Sequence, residues 1–248
     1  MRVLLVGMCG HMGQHVVSAI NSGKYDADLV AGVDPMAFEN TLVPCATSFQ
    51  DANADVDIII DFSHHALTFD MVNFAIANNL PLVIATTGQT EDELQAIKTA
   101  AEKVPVFYAG NYSIGIALLC EMAKSIASTF PDANIEIVET HHNRKIDAPS
   151  GTALMLANSI REARPSATTV VGRSGQAKRT DEEIGIHSIR LGDIVGIHEV
   201  IVGTGSETIT LKHEAHTRAL FAEGAMVAAG FLMKQEPGLY GMKDMVKF

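Results

Sequence analysis

Short apolar runs alternate with stretches of helical periodicity through the first half of the chain. Runs at 3–6, 29–33, 58–62, 82–86 and 106–108 have the length of buried strands. Apolar residues recur at helical spacing through Val16, Val17 and Ile20, and again over 66–79 and 91–103. This strand–helix beat predicts a parallel sheet with crossover helices. The pattern then changes: a long apolar helix is predicted over 114–129, a strand over 134–140, and a further helix through Ala153, Leu154, Leu156, Ala157 and Ile160. Strand patterns follow at 186–190, 195–202 and 207–213, where Ile209 and Leu211 alternate with Thr208, Thr210 and Lys212. Residues 165–185, with Gly172, Arg173, Gly175, Lys178 and Arg179, read as a polar loop. A helix near 218–233 is followed by a short tail. The fold class is α/β, with a parallel-sheet part followed by an α+β region that has a sheet of its own.

The turn after the first run carries Gly7, Gly10 and Gly13, spaced G-x-x-G-x-x-G. A strand that feeds a glycine-rich turn and then a helix is the setting of a dinucleotide-binding loop, although the glycines alone would also suit a tight turn. The second strand ends in Asp34, about 20 residues further on, where a ribose diol needs a carboxylate acceptor. The plain alternative for Asp34 is a turn residue ahead of Pro35. Later strands also end in turn-forming segments: Ser63 after Asp61-Phe62, then Thr86-Thr87-Gly88, then Asn111 with Ser113. Ligands of such sheets bind beyond the carboxyl ends of the strands, so these segments are expected to line a nucleotide groove.

Composition narrows the class. With 248 residues, 47% apolar and 19% charged, the chain can bury a sizeable core as one large domain or two modest ones. Its net charge of −11 and lack of Lys/Arg runs argue against nucleic acid or an anionic membrane as partner. The apolar N-terminal run is too short for a signal-peptide core or a membrane span, which places the chain in the cytoplasm. Cys9, Cys45 and Cys120 are odd in number and lack metal-type spacing, so neither a disulfide framework nor a cysteine metal site is expected.

Against that acidic background, His141-His142-Asn143-Arg144-Lys145 stands out, followed by Asp147-Ala148-Pro149-Ser150-Gly151-Thr152. Ser150 is placed to cap the next helix, with the Gly151 and Thr152 amides in its unpaired first turn. Cationic groups and helix-terminal N–H groups converging on one spot predict a site for a small anion. The two His-His pairs, His64-His65 and His141-His142, lack a third ligand at a suitable spacing, so no metal is expected.

The run from Glu139 to Ala153 closely resembles the signature of the 4-hydroxy-tetrahydrodipicolinate (dihydrodipicolinate) reductase family of lysine and diaminopimelate synthesis. Further matching segments are Gly7-x-x-Gly10-x-Met12-Gly13, Asp61-Phe62-Ser63, Thr86-Thr87-Gly88, Asn111-Tyr112-Ser113-Ile114-Gly115, Gly192-Asp193-Ile194-Val195-Gly196 and Leu239-Tyr240-Gly241-Met242-Lys243-Asp244. The resemblance spans essentially the full length. It implies a Rossmann-like parallel-sheet nucleotide-binding domain over 1–112, with 218–248 returning to it. It also implies an α+β substrate-binding and oligomerisation domain over 113–217, whose open mixed sheet builds a homotetramer. Hydride would pass from NADH or NADPH to a cyclic, unsaturated dicarboxylate, with a proton delivered to the adjacent ring carbon. The resemblance assigns proton-donor roles to His141 and Lys145, and substrate carboxylate contacts to His142, Lys145, Ser150, Gly151 and Thr152. It adds His11, Met12, Phe62 and Tyr112 to the expected nucleotide contacts.

Two departures from the family pattern carry expectations of their own. Many relatives place an Arg in the glycine loop or after the ribose-binding acid; here His11 and Pro35-Met36 stand there. Without that cation Asp34 would repel a 2′-phosphate, so NADH is expected to serve at least as well as NADPH. His64-His65 replaces the more usual proline after Asp-Phe-Ser. The competing readings are a reductase of another small imino or keto acid, since fold alone does not fix substrate, and a nucleotide sensor that has lost the chemistry. A sensor would have no need for both Lys145 and the Ser150-Gly151-Thr152 turn.

Overall fold

The computed structural model describes residues 1–37, 43–52 and 55–246. In chain order its main elements begin with β1 (Arg2–Val6), α1 (His11–Asn21), β2 (Asp28–Val33), β3 (Cys45–Ala46), β4 (Ile58–Asp61), α2 (Thr68–Asn78), β5 (Leu82–Ile84), α3 (Glu91–Ala101) and β6 (Pro105–Tyr108). Then come α4 (Ile114–Thr129), β7 (Asn134–His141), α5 (Gly151–Ala163), β8 (Thr168–Val171), β9 (Glu183–Arg190), β10 (Gly196–Gly203), β11 (Thr208–Ala215), α6 (Ala219–Leu232), β12 (Gly238–Tyr240) and α7 (Met242–Met245). They fall into two units, Met1–Tyr112 with Arg218–Phe248, and Ser113–Thr217.

The first unit holds a seven-stranded sheet in the order β12-β6-β5-β4-β1-β2-β3, every pair parallel. Val3–Val6, Ile58–Ile60 and Leu82–Ile84 are all fully buried. Strands covered on both faces need continuous apolar runs rather than alternation, which is the pattern seen along the chain. Strand order reverses at β1, with β2 on one side and β4 on the other, so the loops after β1 and β4 leave the sheet together at its carboxyl edge. Two expectations are corrected here. The short tail after α6 carries elements that the chain pattern did not predict, since β12 pairs in parallel with β6 at the sheet edge and α7 follows. The runs ending at Phe62 and Thr86 stop as strands at Asp61 and Ile84, which leaves the last residues to the loops.

The second unit has a mixed five-stranded sheet, β11-β10-β7-β9-β8. In it β7 runs antiparallel to β10 and parallel to β9. One face buries Ile135, Ile137, Ile184, Ile186, Val200 and Val202 against Ile116, Leu119 and Ala123 of α4 and Leu156, Ala157 and Ile160 of α5. The 165–185 segment is likewise corrected: Thr168–Val171 forms the edge strand β8, and β9 already begins at Glu183. Edge strand β8 is mostly exposed, so its β-branched residues show no alternation to read.

Candidate active site

In the first unit the glycine loop is shaped by close approach. Gly7 has φ +78°, and a Cβ on it would lie 2.4 Å from the Phe62 carbonyl oxygen; one on Gly13 would lie 2.1 Å from the Gly7 oxygen. The loop after β1 is thus pressed against both α1 and the loop after β4. Gly10 caps α1, with no side-chain cap and no acidic residue in the first turn, so nothing of this kind competes with an anion for the first amides. Gly10 and His11 are exposed, Met12 half-buried.

Asp34 is only 6% exposed. Its carboxylate accepts N–H bonds from Cys9 and Met36, both at 2.9 Å. A carboxylate offers about four lone-pair sites, so capacity for a diol remains. Ser63 donates its N–H to Asp61 Oδ1 and to Thr86 Oγ1, at 2.9 and 2.8 Å. Those bonds tie the loop after β4 to the loop after β5. Phe62 and Asn111 are half-buried, Thr87 and Gly88 exposed. The chemistry of this set, a close-packed glycine loop and a buried carboxylate with acceptor capacity left, fits a pyridine nucleotide.

Tyr112, expected among the nucleotide contacts, has an enclosed side chain. It is 2% exposed, and its hydroxyl donates to the carbonyls of Ile84 and Phe107. Its ring packs on Phe62 and Phe107, so this side chain belongs to the core.

In the second unit, β7 carries its buried face from Ile135 and Ile137 on to Glu139 and His141. The core side of the sheet therefore turns polar at one end. Register sets Glu139 beside Ser188 of β9 and His198 of β10, and His141 beside Arg190. Glu139 is fully buried, and four donor atoms of His141, Arg190 and Ser150 surround it. His141 Nδ1 lies at 2.5 Å, the two Arg190 Nη atoms at 2.9 and 2.8 Å, and the Ser150 amide at 3.1 Å. Burial alone would raise this carboxyl, but hydrogen bonds from Arg190 and His141 hold it at about 2. Because an ionised carboxylate only accepts, His141 Nδ1 is the donor. Burial lowers the His141 imidazole, and Glu139 opposes that shift.

Ser150 caps α5 as expected, its Oγ accepting the Ala153 N–H. The same Oγ is hydrogen-bonded to His198 Nε2 at 3.2 Å, and the residue is 2% exposed. Its polar groups are therefore engaged within the protein. Gly151, by contrast, is exposed, with nothing within 4 Å of where a Cβ would stand. His142 is half-buried and Lys145 Nζ pairs with Asp147 at 2.8 Å. Arg144 of the basic run pairs with Asp193, both exposed. Among the described residues no group of three His, Cys, Asp or Glu could hold a metal, and no helix is long and apolar enough to cross a membrane.

Residues 1–112 match the family model described as Dihydrodipicolinate reductase, N-terminus, and residues 115–246 match that described as Dihydrodipicolinate reductase, C-terminus. The chain belongs to the dihydrodipicolinate reductase family. It is therefore an oxidoreductase whose first unit is a Rossmann-like, pyridine-nucleotide-binding fold. The 4-hydroxy-tetrahydrodipicolinate reductase of Caldanaerobacter subterraneus subsp. tengcongensis is 41% identical over 99% of this chain and 98% of its own length. That of Clostridium tetani is 38% identical over 99% and 96%. A dipicolinate-bound dihydrodipicolinate reductase from Paenisporosarcina sp. TG-14 superposes with a TM-score of 0.84 at 28% identity, covering 99% of each chain. A diaminopimelate dehydrogenase of C. glutamicum, at 17% identity and a TM-score of 0.61, shares the fold.

Three residues of the polar cluster were given no role from the chain alone: Glu139, named only as the start of the signature run, Arg190 and His198. A signal for Glu139 was present, because the spacing Ile135-x-Ile137-x-Glu139-x-His141 puts a carboxylate on the buried phase of a strand. Arg190 and His198 had no local signal.

Proposed function

We propose that the chain reduces 4-hydroxy-tetrahydrodipicolinate to tetrahydrodipicolinate in lysine and diaminopimelate synthesis, using NADH or NADPH. A bound reduced nicotinamide supplies the hydride. His141 and Lys145 handle the proton that the adjacent ring carbon must gain, because both lie in one turn and can carry a transferable proton. His142, Lys145 and the α5 start at Gly151 and Thr152 hold the two carboxylates, one at a helix terminus and one at a cation. Ser150 contributes by fixing the start of that helix. The observation that carries the reading is a buried imidazole, His141, tied through Glu139 to the residue that opens the anion-binding turn.

Asp34 has Pro35 and the 78%-exposed Met36 beside it rather than a cation, so NADH serves at least as well as NADPH. The 1–112 and 218–248 segments bind nucleotide, and 113–217 binds substrate. The sheet face opposite α4 and α5, with half-buried Val138, Thr140, Ile197 and Ile201, assembles a homotetramer. The enzyme works in the cytoplasm on a small substrate, without nucleic acid or membrane. The test is nucleotide oxidation with freshly generated substrate, comparing wild type with Lys145→Ala. Turnover that collapses in the variant while NADH still binds supports the reading. A wild type that binds nucleotide but does not turn over returns the chain to another imino acid or to a sensor.

A further inference from the structure

Glu139 has no part of its own in the scheme above, yet it is the most completely enclosed charge in its unit. A buried carboxylate costs stability unless it is paired and hydrogen-bonded. Its partners come from three places. His141 is on the same strand, Arg190 on the neighbouring one, and Ser150 opens α5. The Arg190 guanidinium grips both carboxylate oxygens, and one Nη also donates to the Asp147 carbonyl in the loop that bears Lys145. A forked grip of this kind fixes the plane of the carboxylate.

We propose that Glu139 and Arg190 are positioning residues of the reduction: the carboxylate holds His141 as the Nδ1–H form, so that Nε2 carries the transferable proton. The same carboxylate keeps that donor in register with the Ser150 turn. Arg190 has a second effect. By favouring the charged carboxylate it prevents Glu139 from keeping the proton it shares with His141, so the proton stays on the imidazole. The charged and titratable groups acting on His141 are Glu139 on its own strand, Arg190 on β9, His198 on β10 and Lys145 in the following turn. Of these Glu139 alone favours the imidazolium.

This inference rests on His141 acting as an acid, and the experiment separates the two. Steady-state kinetics over pH would be run on the full-length enzyme, as wild type, His141→Ala, Glu139→Gln, Arg190→Gln, and the double variant His141→Ala with Glu139→Gln. Expected for Glu139→Gln is a kcat about a hundredfold lower, with the loss of activity at high pH moved to lower pH because the imidazolium has lost its anion. NADH affinity should stay unchanged, and Glu139→Gln should cause no further loss on the His141→Ala background. Arg190→Gln should also lower kcat, because the carboxylate loses the grip that fixes its plane, but should not move the profile to lower pH, since Arg190 itself opposes the imidazolium. If His141→Ala keeps full kcat, the acid assignment itself fails. If His141→Ala collapses and Glu139→Gln matches wild type in kcat and pH profile, the positioning role is overturned. Should Glu139→Gln not fold, imidazole nitrogen shifts of the wild type decide by NMR: a neutral His141 protonated on Nδ1 upholds the proposal, and one protonated on Nε2 sinks it.

Discussion

Gly196 lies against the imidazole of His141, where a Cβ would come 3.1 Å from Nε2 and 3.4 Å from Cδ2. Strand register sets this pair: β10 runs antiparallel to β7, with Ile197 opposite Thr140, so residue 196 falls beside 141. Any side chain there would press on the nitrogen left free when Nδ1 is bound to Glu139. Gly196→Ala is therefore expected to displace the ring by a few tenths of an ångström and to lower kcat roughly tenfold or more, since catalysis is steep in such displacements. Nucleotide affinity, measured by NADH fluorescence, should not change. An unaltered kcat would show that Nε2 is not the working nitrogen.

Gly151→Val probes the anion turn without disturbing the fold, because nothing stands within 4 Å of the added Cβ. The branched side chain would cover the amides that open α5. KM for the dicarboxylate should rise by about tenfold or more, the scale of losing one charge-assisted hydrogen bond, while the melting temperature stays within a few degrees. A normal KM would locate the carboxylate elsewhere.

Asp34→Ser keeps an acceptor for the Cys9 and Met36 amides but removes the charge. The ratio of kcat/KM for NADH over NADPH should fall, since a 2′-phosphate would no longer meet an anion. Measuring both nucleotides on one preparation settles it, and a ratio that does not move would acquit Asp34 of any part in the choice.

Acid stability should carry the mark of buried histidines. Burial, reinforced by His141, pushes His198 down from 6.5 to about 3, whereas the unfolded chain titrates it near its ordinary value. Between these values the unfolded state binds more protons. The stability tied to His198 is therefore complete above 6.5 and is lost as pH falls towards 3. Burial pushes His141 and His213 the same way, and Glu139, held at about 2 against an ordinary 4.5, extends the loss to lower pH. Urea melts between neutrality and mild acid should show stability dropping with pH in the wild type and a shallower slope in His198→Gln. Equal slopes would contradict the burial argument.

Much of this molecule could be read from the chain because the relevant physics is local. Continuous apolar runs mark strands buried on both faces, and α4 begins and ends at the positions its periodicity predicts. The Ser150 cap, the glycine loop and the acid at the end of β2 depend on spacings of a few residues, which dihedral preferences and hydrogen-bond reach determine. Edge strands β8 and β12 were missed because they bury little and so leave no alternating pattern. Only the tertiary structure decided what surrounds His141. Arg190 reaches Glu139 across 51 positions and His198 reaches Ser150 across 48, through the registers of β9 and β10 on β7. It also decided that Tyr112 belongs to the core and that Arg144 pairs with Asp193. A side chain's type is written in the chain, but which partner it meets is set by strand pairing between distant segments.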